Sequence, residues 1–263
     1  MPEVIINDHE VFYREKGSGS VALFVHGFPF DSTMWIEQLD ALSDVRRCIA
    51  PDLRGFGRSA PSIRPVLTME DHAFDLVALT DALGVEQVDL IGLSMGGYIA
   101  LAFAERYPER LRTLALVDTK STEDSIDAKA GRGAAAERVA TEGRTGVAAD
   151  MVSVLVAASA SNWIRARLRT MIESTPAESI VAALIGMKDR PDRTAVLSSL
   201  SVPVAVIVGE HDMLASLADA DHMAVAAGAA LTVVPDAGHM APIEVPITVA
   251  QALRTLWSSG RVR

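Results

Sequence analysis

A serine between glycines stands where a predicted strand meets a predicted helix. Residues 88–93 form a short apolar run, and residues 96–107 carry apolar side chains at helical spacing. The turn from Gly92 to Gly96 joins them with the pattern G-x-S-x-G. A chain that turns directly from strand into helix holds the middle residue in a strained conformation with its side chain pushed outward. Ser94 is therefore predicted to be a nucleophile.

Two polar residues that could assist Ser94 follow other predicted strands. Asp212 follows the apolar run 203–208, and His239 follows the run 231–234. Because parallel strands end at the same edge of a sheet, the three loops should converge on one crevice. A serine hydroxyl needs a base to remove its proton, and a carboxylate holds a histidine in the required tautomer. These properties predict His239 as the base and Asp212 as the acid.

Two other carboxylates are alternatives to Asp212. Asp118 lies at the end of the predicted strand 113–117, and Asp236 lies three residues before His239. Asp236 stands in a Pro-Asp-Ala-Gly sequence that is typical of a turn, where its side chain would bind the backbone. Asp212 is the preferred acid, with Asp118 as the main alternative.

Backbone N–H groups could stabilise the negative charge that an attack by Ser94 creates. Met95 is the first residue of the predicted helix after Ser94, so its N–H group has no acceptor within the helix. The predicted interior strand 21–25 ends in His26-Gly27-Phe28-Pro29, and this loop brings the N–H of Phe28 towards the same edge. Met95 and Phe28 are thus the predicted oxyanion hole. His26 is interpreted as a brace of this loop, and Asp52 as a brace of the glycine-rich turn 54–59.

The predicted substrate pocket is largely apolar. Its candidate residues are Phe28, Met95, Met213, Met240 and Trp163. They suggest a small to medium, mainly uncharged acyl ester or lactone. The sequence shows no basic cluster that would bind a carboxylate or phosphate of the substrate. One arginine of the segment 120–190 could do so, and the candidates are Arg132, Arg144, Arg165 and Arg167.

The order of strands and helices predicts one α/β domain with an insertion. Buried strand-like runs alternate with helices, which predicts a mostly parallel central sheet with helices on both faces. The segment before residue 16 is predicted to be an edge hairpin or strand. No strand-like run occurs between about residue 121 and Val202, so residues 120–190 are predicted to form a small helical lid inserted after the sixth strand. Its helices are expected to break at 131–133, Gly143, Gly146 and Pro176. The core is then formed by residues 1–119 and 191–263.

Composition limits the possible partners. The 263 residues carry a net charge of −10 with no cluster of Lys or Arg, which argues against nucleic acid and anionic membranes as partners. With Cys48 alone, no internal disulfide can form, and no secretory signal pattern begins the sequence, so a cytoplasmic protein is predicted. The sequence contains no cluster of Cys and His residues that would predict a metal site. Homo-oligomerisation is left open.

Five motifs together resemble the α/β-hydrolase fold superfamily. They are HGFPFD at 26–31, PDLRGFGRS at 51–59, GLSMGG at 92–97, GEHD at 209–212 and DAGHMAPIE at 236–244. Within this superfamily, the chain most resembles the small carboxylesterase, 3-oxoadipate enol-lactonase and cofactor-free haloperoxidase (perhydrolase) branch. Members of that branch have Ser-Met-Gly-Gly after the strand and an aromatic residue after His-Gly. The resemblance implies a cofactor-independent serine hydrolase that cleaves an ester or lactone through an acyl-Ser94 intermediate.

Other functions share this scaffold. A carbon–carbon bond hydrolase of the ring-cleavage type would use the same triad, and a perhydrolase would replace water with peroxide at the acyl-enzyme. A small-molecule-binding signalling protein would be an alternative outside enzymes. Ser94 excludes a haloalkane dehalogenase, which needs a carboxylate nucleophile at this position.

Overall fold

An eight-stranded sheet forms the centre of the molecule in the computed structural model, which describes residues 2–7, 9–61 and 64–259. Its strands lie in the order β1-β2-β4-β3-β5-β6-β7-β8. Their bounds are Glu3–Ile6 (β1), His9–Lys16 (β2), Val21–Val25 (β3), Arg47–Pro51 (β4), Val88–Leu93 (β5), Leu111–Val117 (β6), Val204–Gly209 (β7) and Ala230–Val234 (β8). The first two strands form an antiparallel hairpin at one edge, β2 pairs antiparallel with β4, and the remaining pairs are parallel. The predicted mostly parallel sheet with an edge hairpin is confirmed.

Helices connect these strands. Their bounds are Ile36–Leu42 (α1), Met69–Ala82 (α2), Met95–Arg106 (α3), Ile126–Glu142 (α4), Arg144–Leu155 (α5), Asn162–Ser174 (α6), Ala177–Lys188 (α7), Thr194–Ser199 (α8), Leu217–Ala227 (α9), Ala241–Glu244 (α10) and Pro246–Ser259 (α11). Thr68 caps α2 and exchanges hydrogen bonds with Asp71, the reciprocal pattern of a capping box. None of these helices, within the part of the chain described, is long and apolar enough to cross a membrane.

Two apolar clusters cover the two faces of the sheet. The cluster on one face includes residues of α2, α3, α8 and α9, and the cluster on the other includes residues of α1, α10 and α11. β3 and β5 are buried at every position, as expected of interior parallel strands covered on both sides. The sheet edge at which the parallel strands end is therefore held rigidly between two packed layers.

Four helices, α4 to α7, lie in the segment where the lid was predicted, and α8 follows them before β7. Gly143 separates α4 from α5 and Pro176 precedes α7, as expected. The expected breaks at 131–133 and at Gly146 are wrong, because α4 and α5 continue through them. A glycine inside a helix costs only about 1 kcal/mol relative to alanine. Packing of α4 against α7 buries Ala136 and Val139 of α4 and offsets that cost.

Candidate active site

Ser94 occupies the sharp turn between β5 and α3. Its backbone has φ 52° and ψ −114°, in the positive-φ region that L-residues rarely adopt. The turn is possible because its glycines let other backbone pass closely. A Cβ on Gly92 would overlap the carbonyl of Gly96, and a Cβ on Gly96 would overlap the carbonyl of Val25. The strain expected from G-x-S-x-G is therefore present at Ser94 itself.

His239 and Asp212 are joined by a hydrogen bond. Nδ1 of His239 lies 2.8 Å from Oδ2 of Asp212, and both side chains are buried. The other carboxylate oxygen, Oδ1, accepts the N–H groups of Leu214 at 2.7 Å and Ala215 at 3.0 Å. Burial raises the pKa of Asp212, but the bond with His239 and these N–H groups outweigh it, so the pKa is lowered. Asp212 is thus held as an anion that fixes the orientation of the imidazole.

The two alternative acids have other partners. Asp118 is fully buried, has φ 44°, and accepts the N–H of Gly209 at 2.7 Å. Burial and the nearby charge of Asp212 raise its pKa well above the ordinary range, so Asp118 favours the neutral form. Asp236 is an exposed turn residue with φ 58°. The geometry therefore favours Asp212 as the acid that pairs with His239.

The loop that carries Phe28 is braced by His26. Nδ1 of this buried histidine donates to the carbonyl of Gly27 at 2.9 Å, and Nε2 accepts the N–H of Leu53 at 3.0 Å. Burial lowers the pKa of His26 and favours the neutral ring that this pair of bonds requires. Asp52 binds the N–H groups of Ser32 and Arg58, both at 2.7 Å, as interpreted from the sequence.

A cavity of about 390 Å³ connects the predicted nucleophile and base. Ser94 and His239 both contribute to its wall, and Phe28 lies beside them. Most of the remaining wall is apolar and comes from the lid, through Ala128, Ala135, Met151, Val154, Leu155, Leu184 and Met187. The lid therefore forms much of the surface that a substrate bound at Ser94 would contact.

The predicted pocket residues are only partly brought together. Phe28 lines the cavity, whereas Met95 and Met240 are fully buried in the two apolar clusters. Met213 is 73% exposed and Trp163 is 65% exposed, and neither lines this cavity. The interpretation of these four side chains as pocket walls is corrected, because each points into the core or into solvent. Met95 keeps its predicted place at the first turn of α3, where its N–H is free of an intrahelical acceptor.

One end of the cavity is polar. It is lined by Lys120, Asp124, Arg132 and Tyr98, and of these only Arg132 was predicted from the sequence. The expectation that no basic cluster is present is corrected, because the fold brings Lys120 and Arg132 to the same wall. The other three arginine candidates lie elsewhere: Arg165 binds the carbonyl of Ala157, Arg167 pairs with Glu37, and Arg144 does not line the cavity. Lys120 and Asp124 follow β6 directly, so their place just past the carboxyl end of a parallel strand was the available signal.

Glu244 joins the histidine loop to the lid. Its Oε1 accepts the N–H of Gly238 at 3.0 Å, and its Oε2 accepts the N–H of Ala157 at 2.8 Å. The residue before His239 is thereby fixed relative to the end of α5. Within the residues that the structure describes, no group of His, Cys, Asp and Glu side chains is arranged to hold a metal ion.

Comparison with known proteins identifies the family of the chain. Residues 22–246 match the family model of the α/β hydrolase fold. The chain belongs to the α/β-hydrolase fold family. The match spans β3 to the start of α11 and includes the turn at Ser94, the pair His239 and Asp212, and the whole lid.

Two solved structures of this family resemble the chain over its full length. A thermophilic esterase from Thermogutta terrifontis, solved with malate bound, is 40% identical with a TM-score of 0.95 and 100% coverage of both chains. An enol-lactonase from Burkholderia xenovorans LB400 is 28% identical with a TM-score of 0.89, covering 98% of this chain and 100% of the other.

A curated relative extends beyond this chain. The dihydrolipoyllysine-residue acetyltransferase component of an acetoin cleaving system from Cupriavidus necator is 28% identical over 245 residues, which is 89% of this chain and 63% of that protein. The chain thus spans less than two thirds of that relative.

Proposed function

We propose that this hydrolase cleaves a small to medium carboxylic ester or lactone through an acyl-Ser94 intermediate. The observation that carries the proposal is a single cavity wall containing Ser94, in strained positive-φ geometry, and His239, whose Nδ1 binds Asp212 at 2.8 Å. An alkoxide-forming serine needs such a base beside it, because its hydroxyl is a poor nucleophile at neutral pH.

The reaction begins with attack of Ser94 Oγ on the carbonyl carbon. Nε2 of His239 takes the hydroxyl proton, while Asp212 accepts a hydrogen bond from Nδ1 and stabilises the imidazolium. The N–H groups of Met95 and Phe28 bind the oxyanion, each contributing about 3 to 4 kcal/mol to transition-state stabilisation. When the tetrahedral intermediate collapses, His239 returns the proton to the departing alcohol oxygen.

Water completes the cycle. His239 removes a proton from a water molecule that attacks the acyl carbon, and the second tetrahedral intermediate releases the acid and restores the Ser94 hydroxyl. In a lactone, the departing alcohol remains covalently attached to the acyl group, so the same steps yield one hydroxy acid. Every proton is carried by His239, and the proposed steps use only side chains, backbone and water.

The cavity and the relatives support ester or lactone chemistry. Its volume of about 390 Å³ suits a small organic substrate, and its largely apolar wall suits an acyl chain. The full-length resemblance to an esterase and to an enol-lactonase points to the same reaction class.

Hydrolysis of p-nitrophenyl esters from acetate to octanoate tests the proposal. We expect release of nitrophenol by the wild-type protein and a loss of at least about a thousandfold in Ser94→Ala. Ser153→Ala is the matched control, because Ser153 is an exposed lid serine that does not line the cavity and whose hydroxyl donates to the carbonyl of Asp150. A folded wild type that is no faster than Ser94→Ala on every ester would overturn the proposal.

Carbon–carbon bond hydrolysis is a second candidate. The polar cavity end formed by Lys120 and Arg132 offers cations for the acidic dienoates that ring-cleavage hydrolases take. Loss of the dienoate absorbance of a ring-cleavage product, faster than hydrolysis of every ester tested, would favour this reaction.

A further inference from the structure

The polar end of the cavity contains more positive than negative charge. Lys120 and Arg132 line it with a single carboxylate, Asp124, and Arg190 lies directly behind. Three cations therefore surround one anion, an excess of two positive charges, in a chain whose net charge is −10. The average composition of this acidic chain does not account for such a group of cations at one wall of the cavity.

Asp124 is already fully engaged. Oδ1 accepts Nη2 of Arg190 at 2.9 Å, and Oδ2 accepts Nε of Arg132. Burial raises the pKa of Asp124, but these two hydrogen bonds outweigh it and bring the pKa to about 2. Arg190 also donates to the carbonyls of Met187 and Thr122, and its guanidinium lies 3.9 Å from the centroid of the Tyr98 ring. Arg190 is thus a buried structural cation that Asp124 balances.

The ammonium group of Lys120 and one guanidinium nitrogen of Arg132 are available to donate hydrogen bonds to a ligand. The ion pair of Lys120 with Asp124 is long, at 3.8 Å, and no shorter one involves Lys120 among the residues described. Arg132 uses Nε for Asp124 and Nη1 for the sulfur of Met187 at 3.5 Å. Within the same residues its Nη2 has no hydrogen-bond acceptor. Both side chains are about one fifth exposed, at the cavity.

We propose that the substrate carries a carboxylate besides the ester or lactone bond, and that Arg132 and Lys120 bind it. This inference rests on the proposed function for the reacting bond. The substrate class is then a half-ester of a dicarboxylic acid, or a lactone bearing a free carboxylate. Arg132 supplies planar N–H donors and Lys120 a point charge, so the anion is oriented while its acyl carbon lies at Ser94.

A purely structural role would account for only part of this arrangement. The bond from Arg132 to Asp124 attaches α4 to the segment after β6, and a lid needs such an attachment. That role explains neither the free Nη2 of Arg132 nor the position of Lys120, whose ion pair with Asp124 is long at 3.8 Å. Desolvating an amine beside an apolar cavity is unfavourable unless an anion joins it there.

Matched esters separate charge from size. The monomethyl esters of succinic, glutaric and adipic acids carry a carboxylate, and the methyl esters of butanoic, pentanoic and hexanoic acids have equal acyl length without it. A second pair, 4-acetoxybutanoate and butyl acetate, places the carboxylate on the alcohol. Acid release is followed by pH-stat. We expect kcat/KM to be about tenfold to a hundredfold higher for at least one anionic ester than for its neutral partner.

Variants assign this preference to the two cations. Arg132→Gln and Lys120→Gln should each lower kcat/KM for the anionic esters by a larger factor than for the neutral esters, so that most of the preference is lost. Arg132→Lys should retain part of it, which distinguishes lost charge from a loosened lid. Arg138→Gln is the matched control, because Arg138 lies on the outer side of α4, paired with Glu142 and Asp150, and should change neither series. Equal losses for charged and neutral esters in Arg132→Gln and Lys120→Gln would overturn the proposal.

The p-nitrophenyl assay keeps the two proposals apart. If Ser94-dependent hydrolysis is present but every neutral ester is cleaved as well as its anionic partner, the inference is wrong and the ester hydrolase stands. If no ester is cleaved, the proposed function is wrong, and calorimetry with glutarate and Ser94→Ala decides the inference. Binding of glutarate that is lost on adding Arg132→Gln or Lys120→Gln supports the anion site, and no binding overturns it.

Discussion

Two buried carboxylates near His239 differ in protonation because their surroundings differ. Asp212 receives two backbone N–H groups and the imidazole, which favour its anion. Asp118 receives the N–H of Gly209, lies close to the charge of Asp212, and favours the neutral acid. Like charges that are close together in a buried site cannot both ionise freely. Only one of the two carboxylates is therefore available as the anionic partner of His239.

Replacing each carboxylate with its amide tests this assignment. Asp212→Asn removes the anion, and the amide can donate or accept a hydrogen bond, so His239 is no longer held in one tautomer. The kcat for p-nitrophenyl acetate should therefore fall by about 10⁴. Asp118→Asn keeps the shape and removes an acid that is already neutral, so its loss should not exceed about tenfold. Circular dichroism of both variants verifies folding. A larger loss in Asp118→Asn than in Asp212→Asn would reverse the assignment of the acid.

The location of a residue that directly follows a strand was easier to predict from the sequence than the direction of a side chain that depends on packing. Ser94, Asp212 and His239 each follow a strand by one to five residues, so their convergence followed from the parallel sheet alone. Met213 and Trp163 were chosen for their apolar side chains, yet the direction of a side chain depends on the helix face and loop path. For Trp163 these are set by the lid helix α6, and for Met213 by the loop between β7 and α9, and neither segment carries a motif that fixes the direction of the side chain. The sequence does not distinguish Lys120 and Asp124 from other polar loop residues, because solvated charges are common in any loop.

At the level of elements, two glycines inside helices differ in whether their surroundings leave room for a side chain. Gly133 lies within α4, and a Cβ built there meets nothing within 4 Å. Gly186 lies within α7, and a Cβ there would overlap the carbonyl of Leu67. The main chain of Leu67 also donates to the carbonyl of Ala182 at 3.1 Å, so the segment before α2 rests directly on α7. Of these two glycines, only Gly186 is required by close packing.

Alanine at these two positions should therefore have opposite effects. Gly133→Ala should raise the free energy of unfolding by about 0.5 to 1 kcal/mol, because alanine restricts the unfolded chain and favours helix. Gly186→Ala should lower it by about 1 to 3 kcal/mol, because α7 and the Leu67 segment must separate. Urea denaturation followed by circular dichroism measures both. Stabilisation by Gly186→Ala would mean that this segment moves away without cost.

The same comparison explains why the lid was harder to predict than the core. Core strands are short apolar runs whose burial on both faces appears directly in the sequence. The continuity of α4 through Gly131 and Gly133 depends on contacts with α7, some fifty residues later in the chain. Local glycine content indicated a break, and non-local packing overrode it.

At the level of the whole molecule, lid and core share their apolar clusters. Ala136 and Val139 of α4 belong to the cluster that contains α2 and α3, and Leu155 and Ile172 belong to the cluster on the opposite face. Hydrogen bonds add to this packing: the N–H of Met240 binds the carbonyl of Leu155 at 3.1 Å, and Thr175 donates to the carbonyl of Pro29 at 2.8 Å. The lid residues that the structure describes are therefore packed into the two clusters of the sheet faces and form no separate core.

We therefore expect lid and core to unfold in one transition. Of the three tryptophans, Trp163 lies on the lid helix α6, while Trp35 and Trp257 belong to the core segments of the chain and are buried in the cluster that includes α1 and α11. In Trp163→Phe the fluorescence reports the core alone, whereas circular dichroism at 222 nm also records the four lid helices. The two urea curves of this variant should share one midpoint, because unfolding the lid would expose both clusters. A helical loss that precedes the fluorescence change would instead identify the lid as an independent unit, whose opening could then admit substrate without disturbing Ser94 and His239.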